Sequence, residues 1–320
     1  MAENQDKFEQ AAKCRLAAER GEAKAQVSLA DMYLVGRGVP KDRSEAWSWY
    51  RKAAEQGDVE GQLKLGRLYE NGWGVSEDLA EAEAWYLKAA EQGDARGFSK
   101  TAWLYANGAR DVAKAVEWYR KAAELGDAEG QCCLGEKYEK GRGVPKNEPE
   151  AVAWYRRAAE QGHSYAQCNL GDAYAKGIGV LKDEALAVFW YRQAAEQGDF
   201  GGQYKLGEMY ALGKGVAKDF TLAAAWFCEA DEQDSEFNPA TLRKVYEEGL
   251  GVPLDEIIAA YRKAGEQGNL RWQMTLAYMY ENGWSVPKDL EEALAWFRKA
   301  AVQGDEIALD EVHRLLGDGR

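Results

Sequence analysis

The chain has 320 residues, 46% of them hydrophobic, and its formal net charge is −13 at pH 7. An acidic chain without a basic run argues against nucleic acid as a ligand, because that binding needs clustered Lys and Arg. It argues equally against anionic membrane surfaces, whereas a basic partner would suit it. No apolar run approaches the length of a membrane span. Residues 1–14 lack the apolar segment of a signal peptide, so we expect a cytoplasmic protein unless an export signal was removed.

Residues 59–93 predict two short helices joined by a loop. Apolar and small side chains at four-residue steps form one stripe of the first helix: Gly61, Leu65 and Tyr69. This helix should end at Gly72, because glycine tolerates the left-handed conformation of a C-cap. Asp78 can then cap a second helix, which Gly93 ends. The second helix carries its own apolar stripe: Ala82, Trp85, Tyr86, Ala89 and Ala90. Neither helix is long enough to be stable alone, so another copy must cover the pair.

The same pattern recurs eight times, at steps of 33–36 residues. The predicted units are 22–57, 58–93, 94–126, 127–162, 163–198, 199–234, 235–268 and 269–304. Each unit touches only its neighbours in such an array, which forms one elongated body. Residues 1–21 match a lone second helix and predict an N-terminal capping helix, and residues 305–320 predict a C-terminal capping helix. The glycine that ends each second helix, as Gly57 and Gly93 do, is called the terminal glycine below.

Two units break the pattern. The inter-helix loop shortens in unit 94–126, and two residues are missing from unit 235–268, where Ala260 replaces the tryptophan of the second helix. Two explanations of these departures are open: sequence drift that the loops tolerate, and a bend that changes the curvature of the array. The loss of a large aromatic side chain predicts that the seventh unit is the weakest internal joint.

The repeated pattern A-x-x-x-LG-x-x-Y-x-x-G-x-GV-x-x-D-x-x-x-A-x-x-WY-x-x-AA-x-x-G, between Ala23 and Gly304, resembles the Sel1-like repeat (SLR) family. This family is a relative of the tetratricopeptide repeat. The resemblance implies an all-α fold, a right-handed α-solenoid superhelix of eight helix-turn-helix repeats with helical caps. It also implies a protein that binds other proteins and usually has no chemistry of its own.

The residues that could carry chemistry are few. The chain has five cysteines and two histidines, without a CxxC pair, so we expect neither a metal nor any other cofactor. Cys132 and Cys168 occupy equivalent positions of adjacent units, about 8–10 Å apart, which is too far for a disulfide. All five thiols should therefore be reduced. No nucleophile elbow or phosphate-binding loop is present, so we expect no enzyme.

Partner specificity should reside in exposed positions that vary between the copies. In a tetratricopeptide-like array the first helices line the concave face, and the inward positions should be three, six, ten and thirteen residues after each terminal glycine. Large or cationic side chains at these and flanking positions predict a protein- or peptide-binding groove: Arg67, Arg96, Phe98, Trp103, Tyr165, Tyr204, Phe237, Trp272, Met274 and Tyr278. For each residue alone, packing against the next repeat is the alternative.

The sequence therefore predicts a non-enzymatic scaffold or adaptor that holds a protein or peptide in its concave groove, without nucleic acid, membrane insertion or metal. The second hypothesis is an immunity or inhibitor protein that blocks a cognate toxic enzyme. An inhibitor should bind one partner tightly and block its active site, whereas a scaffold should leave the activity of its partner intact. An enzyme would need a deep pocket with perturbed titratable groups.

Overall fold

The computed structural model describes residues 2–107, 111–231, 250–284 and 286–317, with the side chains of residues 2–6 and 231 left aside. Every regular element within these ranges is an α-helix. The chain divides into two compact units, Met1–Gln161 and Gly162–Arg320, which we call the N-terminal and C-terminal units and describe separately.

The N-terminal unit begins with a long helix and continues as helix pairs. Its helices are α1 (Ala2–Glu19), α2 (Ala23–Val35), α3 (Arg43–Glu55), α4 (Val59–Asn71), α5 (Leu79–Glu91), α6 (Ala95–Asn107), α7 (Val112–Glu124), α8 (Ala128–Lys140) and α9 (Glu148–Glu160). Each helix packs against the next. The even-numbered helices are the first helices of repeats one to four. They also approach one another, α2 with α4 and α6 with α8.

The C-terminal unit follows the same plan. Its helices are α10 (Ser164–Lys176), α11 (Glu184–Glu196), α12 (Phe200–Leu212), α13 (Phe220–Asp231), α14 (Leu254–Glu266), α15 (Leu270–Asn282), α16 (Leu290–Val302) and α17 (Glu306–Leu316). The segment predicted from the sequence to form the first helix of repeat seven lies within residues 232–249, outside the described ranges. The shortened loop of repeat three is described only in part.

The helix ends predicted from the sequence are confirmed in repeat two. Asp78 accepts hydrogen bonds from the backbone N–H groups of Ala80 and Glu81 at 3.0 Å, which caps α5. Gly72 ends α4 with φ 64°, in the left-handed region. Helix boundaries in this chain therefore follow from local capping chemistry.

A glycine in the middle of α4 lets the two helices of repeat two approach closely. A Cβ atom at Gly66 would lie 2.6 Å from the ring of Tyr86. The buried tyrosine therefore packs directly on the backbone of the first helix, beside the fully buried Leu65. Gly135 and Tyr155 repeat this contact in repeat four, so it is a property of the repeat.

A pair of glutamines joins the two helices within most repeats. Gln56 Nε2 donates to Gln26 Oε1 at 2.7 Å, and Gln26 Nε2 donates to the Ala18 carbonyl of the preceding helix at 3.1 Å. The glutamine pair recurs as Gln92–Gln62, Gln161–Gln131, Gln197–Gln167 and Gln303–Gln273. The buried amides are satisfied in this way, which makes the glutamines part of the scaffold.

Candidate functional site

A concave surface lies across the first helices of repeats two to four. It encloses about 350 Å³, and we call it the first-helix face. Its lining residues are Glu60, Leu63, Lys64, Arg67, Glu70, Tyr86, Arg96, Lys100, Trp103 and Glu129. Three of the residues predicted from the sequence, Arg67, Arg96 and Trp103, are thus brought together.

Three ion pairs, two of which cross between repeats, order charged side chains of this face. Arg96 Nη1 lies 2.9 Å from Glu60 Oε2, and Arg96 Nη2 lies 2.8 Å from Asp94 Oδ2. Lys100 Nζ lies 2.8 Å from Glu129 Oε2. The hydrogen bond to Asp94 raises the pKa of Arg96 and lowers that of Asp94. Exposed pairs of this kind contribute little stability, but they fix where the charges stand.

Trp103 is the large aromatic side chain of the first-helix face, and it is 40% exposed. The tenth position after the terminal glycine, where it stands, holds Asp31, Glu136, Asp172 and Glu208 in other repeats. An exposed indole among ordered charges offers a partner an apolar contact and a ring N–H donor, the combination found in interface anchors.

The carboxylates on the first helices have a structural use that sequence reasoning missed. Tyr50 donates its hydroxyl proton to Asp31 at 2.5 Å, and Tyr191 donates to Asp172 at 2.6 Å. Burial, and then the hydrogen bond to the carboxylate, raises the pKa of both tyrosines. Each of these two carboxylates lies 19 residues before its tyrosine, and this shared spacing was the signal that could have revealed the bond.

The prediction that Tyr204 and Met274 project into a groove is wrong. Tyr204 is 3% exposed and Met274 is fully buried. Both occupy the sixth position after the terminal glycine. In repeat six this position lies one helical turn before Gly207, where a Cβ atom would lie 2.7 Å from the ring of Phe227 on the second helix. Tyr204 therefore faces that helix, where its ring lies 5.4 Å from the ring of Phe227.

The prediction that Trp272 lies on the binding surface is also wrong. Trp272 is 1% exposed and stacks on Tyr261 of the preceding repeat. Phe98 is half-buried and stacks on Trp118 of its own repeat, with ring centroids 5.7 Å apart. It occupies the position of the first glutamine of the usual pair, so packing explains its bulk.

Two predicted residues belong to the C-terminal unit. Tyr165 is 48% exposed at the start of α10. Tyr278 is half-buried and meets Phe297 edge-on, with centroids 5.1 Å apart. Phe237 lies outside the described residues.

None of the five cysteines, all of which lie within the described residues, forms a disulfide: Cys14, Cys132, Cys133, Cys168 and Cys228. Within the same ranges, no group of three or more His, Cys, Asp and Glu side chains is arranged to hold a metal ion. A helix both long and apolar enough to cross a bilayer is likewise missing from the part of the chain that the structure describes.

Comparison with known proteins gives matches along nearly the whole chain. The Sel1 repeat pattern matches eight segments: 23–58, 59–94, 99–127, 128–163, 164–199, 201–235, 244–269 and 273–305. A protective antigen of uropathogenic Escherichia coli with an SLR fold is 37% identical over 95% of this chain and 67% of its own, with a TM-score of 0.64. A Sel1 repeat protein from Oxalobacter formigenes is 33% identical over 73% of this chain and 98% of its own, with a TM-score of 0.61.

A curated relative is matched over a short stretch. The chitin synthase regulator SKT5 of Malassezia restricta is 36% identical over 56 residues, which is 18% of this chain and only 4% of that relative. The eight matched repeats, and the two solved structures that share a third or more of the aligned residues, show that the chain belongs to the Sel1 repeat family.

Proposed function

We propose that the chain is a non-enzymatic scaffold that binds a protein or peptide on the first-helix face of the N-terminal unit. The observation that carries the proposal is the joint exposure of Trp103 and Arg67 on one concave surface whose other charges are ordered by ion pairs. Sel1 repeat proteins generally mediate protein–protein interactions and are non-catalytic. A reducing compartment suits five cysteines that form no disulfide, so we propose the cytoplasm as its location.

The face has the features of a small recognition surface. Interface anchors are commonly Trp, Tyr and Arg, surrounded by contacts that contribute less energy. Trp103 and Arg67 are the anchor types here, and the ion pairs of Arg96 and Lys100 form the polar surroundings. Because these pairs already hold their side chains in place, a partner would lose less conformational entropy in binding them.

The test is affinity capture from the native cell, followed by cross-linking. Wild-type chain, Trp103→Ala and Phe189→Ala should be compared, since Phe189 is also well exposed, at 50%, but lies on a second helix of the other unit. A partner that is retained by wild type and Phe189→Ala, lost by Trp103→Ala, and cross-linked to α4 or α6 supports the proposal. Equal retention by all three, or cross-links elsewhere only, contradicts it.

An activity assay of the captured partner separates the two modes of action. A scaffold should leave the activity of an enzymatic partner unchanged at saturating concentration. Complete inhibition at a 1:1 ratio would identify an inhibitor that uses the same face.

A further inference from the structure

A second cavity, beside the first-helix face, is strongly basic. It encloses about 640 Å³ among α1, α2, α3, α4 and the loops that follow α2 and α4. Five of its lining side chains are cationic and only one, Asp31, is a carboxylate; the cations are Arg37, Lys41, Arg43, Lys64 and Arg67. In a chain whose net charge is −13, this local excess of positive charge opposes the overall balance.

Most of these cations lack an ion-pair partner. Lys64 Nζ lies 3.3 Å from Asp31 Oδ1 and 3.8 Å from Glu60 Oε1. Within the described ranges, no carboxylate lies within ion-pair distance of the other four. Asp31 is already occupied, because Tyr50 and Lys64 both donate to it. The positive charge of the cavity is therefore available to a ligand.

A tryptophan holds two of the arginines in position. The guanidinium carbon of Arg67 lies 5.2 Å from the centroid of the Trp73 ring, and that of Arg43 lies 5.6 Å from it. An arginine stacked on an aromatic ring keeps its planar set of N–H donors free for in-plane hydrogen bonds. Carboxylates bind such a fork through two parallel hydrogen bonds.

The fold does not require these arginines. The position of Arg43, first after the helix cap, holds Leu79, Glu148 and Glu184 in other repeats. The position of Arg67 holds Asp or Glu in four other repeats. A position that accepts opposite charges in sister repeats is not fixed by packing. The two arginines that meet on Trp73 are therefore particular to this cavity.

The geometry points to an acidic peptide segment as the ligand, with Arg43 and Arg67 binding its carboxylates and the side chains of Met32 and Val35 contacting an apolar residue beside them. This inference rests on the proposed function, because it assigns the chemistry of the partner segment. An acidic ligand is the opposite of the basic partner that the net charge alone predicts. A nucleic acid is disfavoured, since the adjoining first-helix face carries Glu60, Glu70 and Glu129.

The test is fluorescence anisotropy with the full chain at low ionic strength. The probes are a labelled hexapeptide of alternating Glu and Leu, the same peptide with Gln for Glu, and a labelled single-stranded oligothymidine. We expect the Glu peptide to bind at least tenfold more tightly than the Gln peptide, and more tightly than the oligonucleotide. Equal binding of the two peptides, absence of Glu-peptide binding, or tighter oligonucleotide binding would overturn the inference.

The variants Arg43→Glu and Arg67→Glu should each weaken Glu-peptide binding at least tenfold. Both place a residue that sister repeats already carry at the same position, so unchanged circular dichroism and Tm are expected. Arg142→Glu is the matched control: Arg142 is exposed and occupies in repeat four the loop position of Arg37. It should bind like wild type; a loss equal to that of Arg67→Glu contradicts a specific site.

The two proposals fail separately. If the Glu peptide does not bind but capture still depends on Trp103, only the acidic-ligand inference falls. If the Glu peptide binds through Arg67 but no partner depends on Trp103, the scaffold proposal for the first-helix face falls.

Discussion

Trp272 stacks on Tyr261 with ring centroids 4.1 Å apart and planes 17° from parallel. The stack joins the first helix of repeat eight to the second helix of repeat seven. In most other repeats the position of Trp272 is a glycine, and repeat seven is the repeat with Ala260 in place of the usual tryptophan. Trp272 of repeat eight therefore adds core volume against Tyr261, the residue that follows Ala260 in repeat seven.

Trp272→Ala should lower the free energy of unfolding by about 3–5 kcal/mol, because it opens a large cavity in a fully buried site. Urea denaturation of the full chain, followed by circular dichroism, measures the change. Adding Ala260→Trp to this variant should recover part of the loss, since other repeats carry tryptophan there. Unchanged stability of Trp272→Ala would contradict a core role.

Trp85→Ala and Trp103→Ala should have opposite effects. Trp85 is 9% exposed, its ring N–H donates to Glu81 at 3.1 Å, and Lys88 Nζ lies 3.6 Å from its ring centroid. Its removal should cost about 3–5 kcal/mol of stability. Hydrogen exchange should show repeats two and three opening before repeat four.

Trp103→Ala should leave Tm nearly unchanged, because the side chain is well exposed, and should weaken partner binding by about 1–3 kcal/mol. Calorimetry of both variants and titration with the captured partner provide the measurements. Unfolding of Trp103→Ala as severe as that of Trp85→Ala would remove Trp103 from the binding face.

The hydroxyl–carboxylate bond predicts different costs for two similar substitutions. Asp172 accepts from Tyr191 and also pairs with Lys176. Glu208 occupies the same position in the next repeat and pairs with Lys205. That repeat has Phe227 where repeat five has the tyrosine. Asp172→Ala should therefore cost about 1–2 kcal/mol of unfolding free energy, since it leaves a buried hydroxyl without its acceptor.

Glu208→Ala is the matched control, because it removes an ion pair between two half-buried residues but no acceptor of a tyrosine hydroxyl. It should change stability by less than about 1 kcal/mol. Both values come from parallel urea titrations. Equal costs would mean that the tyrosine bond contributes nothing measurable.

Buried thiols predict a loss of stability at alkaline pH. Burial raises the pKa of the Cys168 thiol from 9.0 to about 12. As pH rises through this window the unfolded chain loses the proton first, so stability is complete below pH 9 and falls between pH 9 and 12. Between pH 8 and pH 10, titration of Cys168 should lower the free energy of unfolding by about 1.4 kcal/mol.

The measurement is urea unfolding of wild type and Cys168→Val at pH 8 and pH 10. From pH 8 to pH 10, the free energy of unfolding of Cys168→Val should rise relative to that of wild type by about 1.4 kcal/mol. The valine at the equivalent Val27 shows that the repeat accepts this residue. A difference independent of pH would show that the thiol keeps its ordinary pKa.

The sequence predicted what depends on local rules. Gly72 and Asp78 end and begin helices through their own backbone and side-chain chemistry, so a single repeat was enough to place them. Tyr204 was misplaced because the sixth and tenth positions lie only about 40° apart around a helix of 3.6 residues per turn. Periodicity alone could not show that the second helix covers the sixth position and leaves the tenth position exposed.

The basic cavity could not be predicted because its parts come from four helices and two loops. Arg43 and Arg67 are 24 residues apart and belong to different repeats, and only the position of Trp73 brings them together. Net charge pointed in the opposite direction. The partner surface of a repeat protein is therefore better sought in departures from the repeat that converge in space than in overall composition.

The glutamine pair and the Trp272–Tyr261 stack differ in how they would survive duplication of a repeat. Gln26 and Gln56 lie within one repeat, so copying that repeat copies the bond intact. Trp272 needs a suitable predecessor: in repeat two a Cβ atom at the equivalent Gly61 would already lie 2.9 Å from the Ala53 Cβ and Ala54 N atoms. Repeats seven and eight therefore form a unit of inheritance, which recombination can move only as a pair.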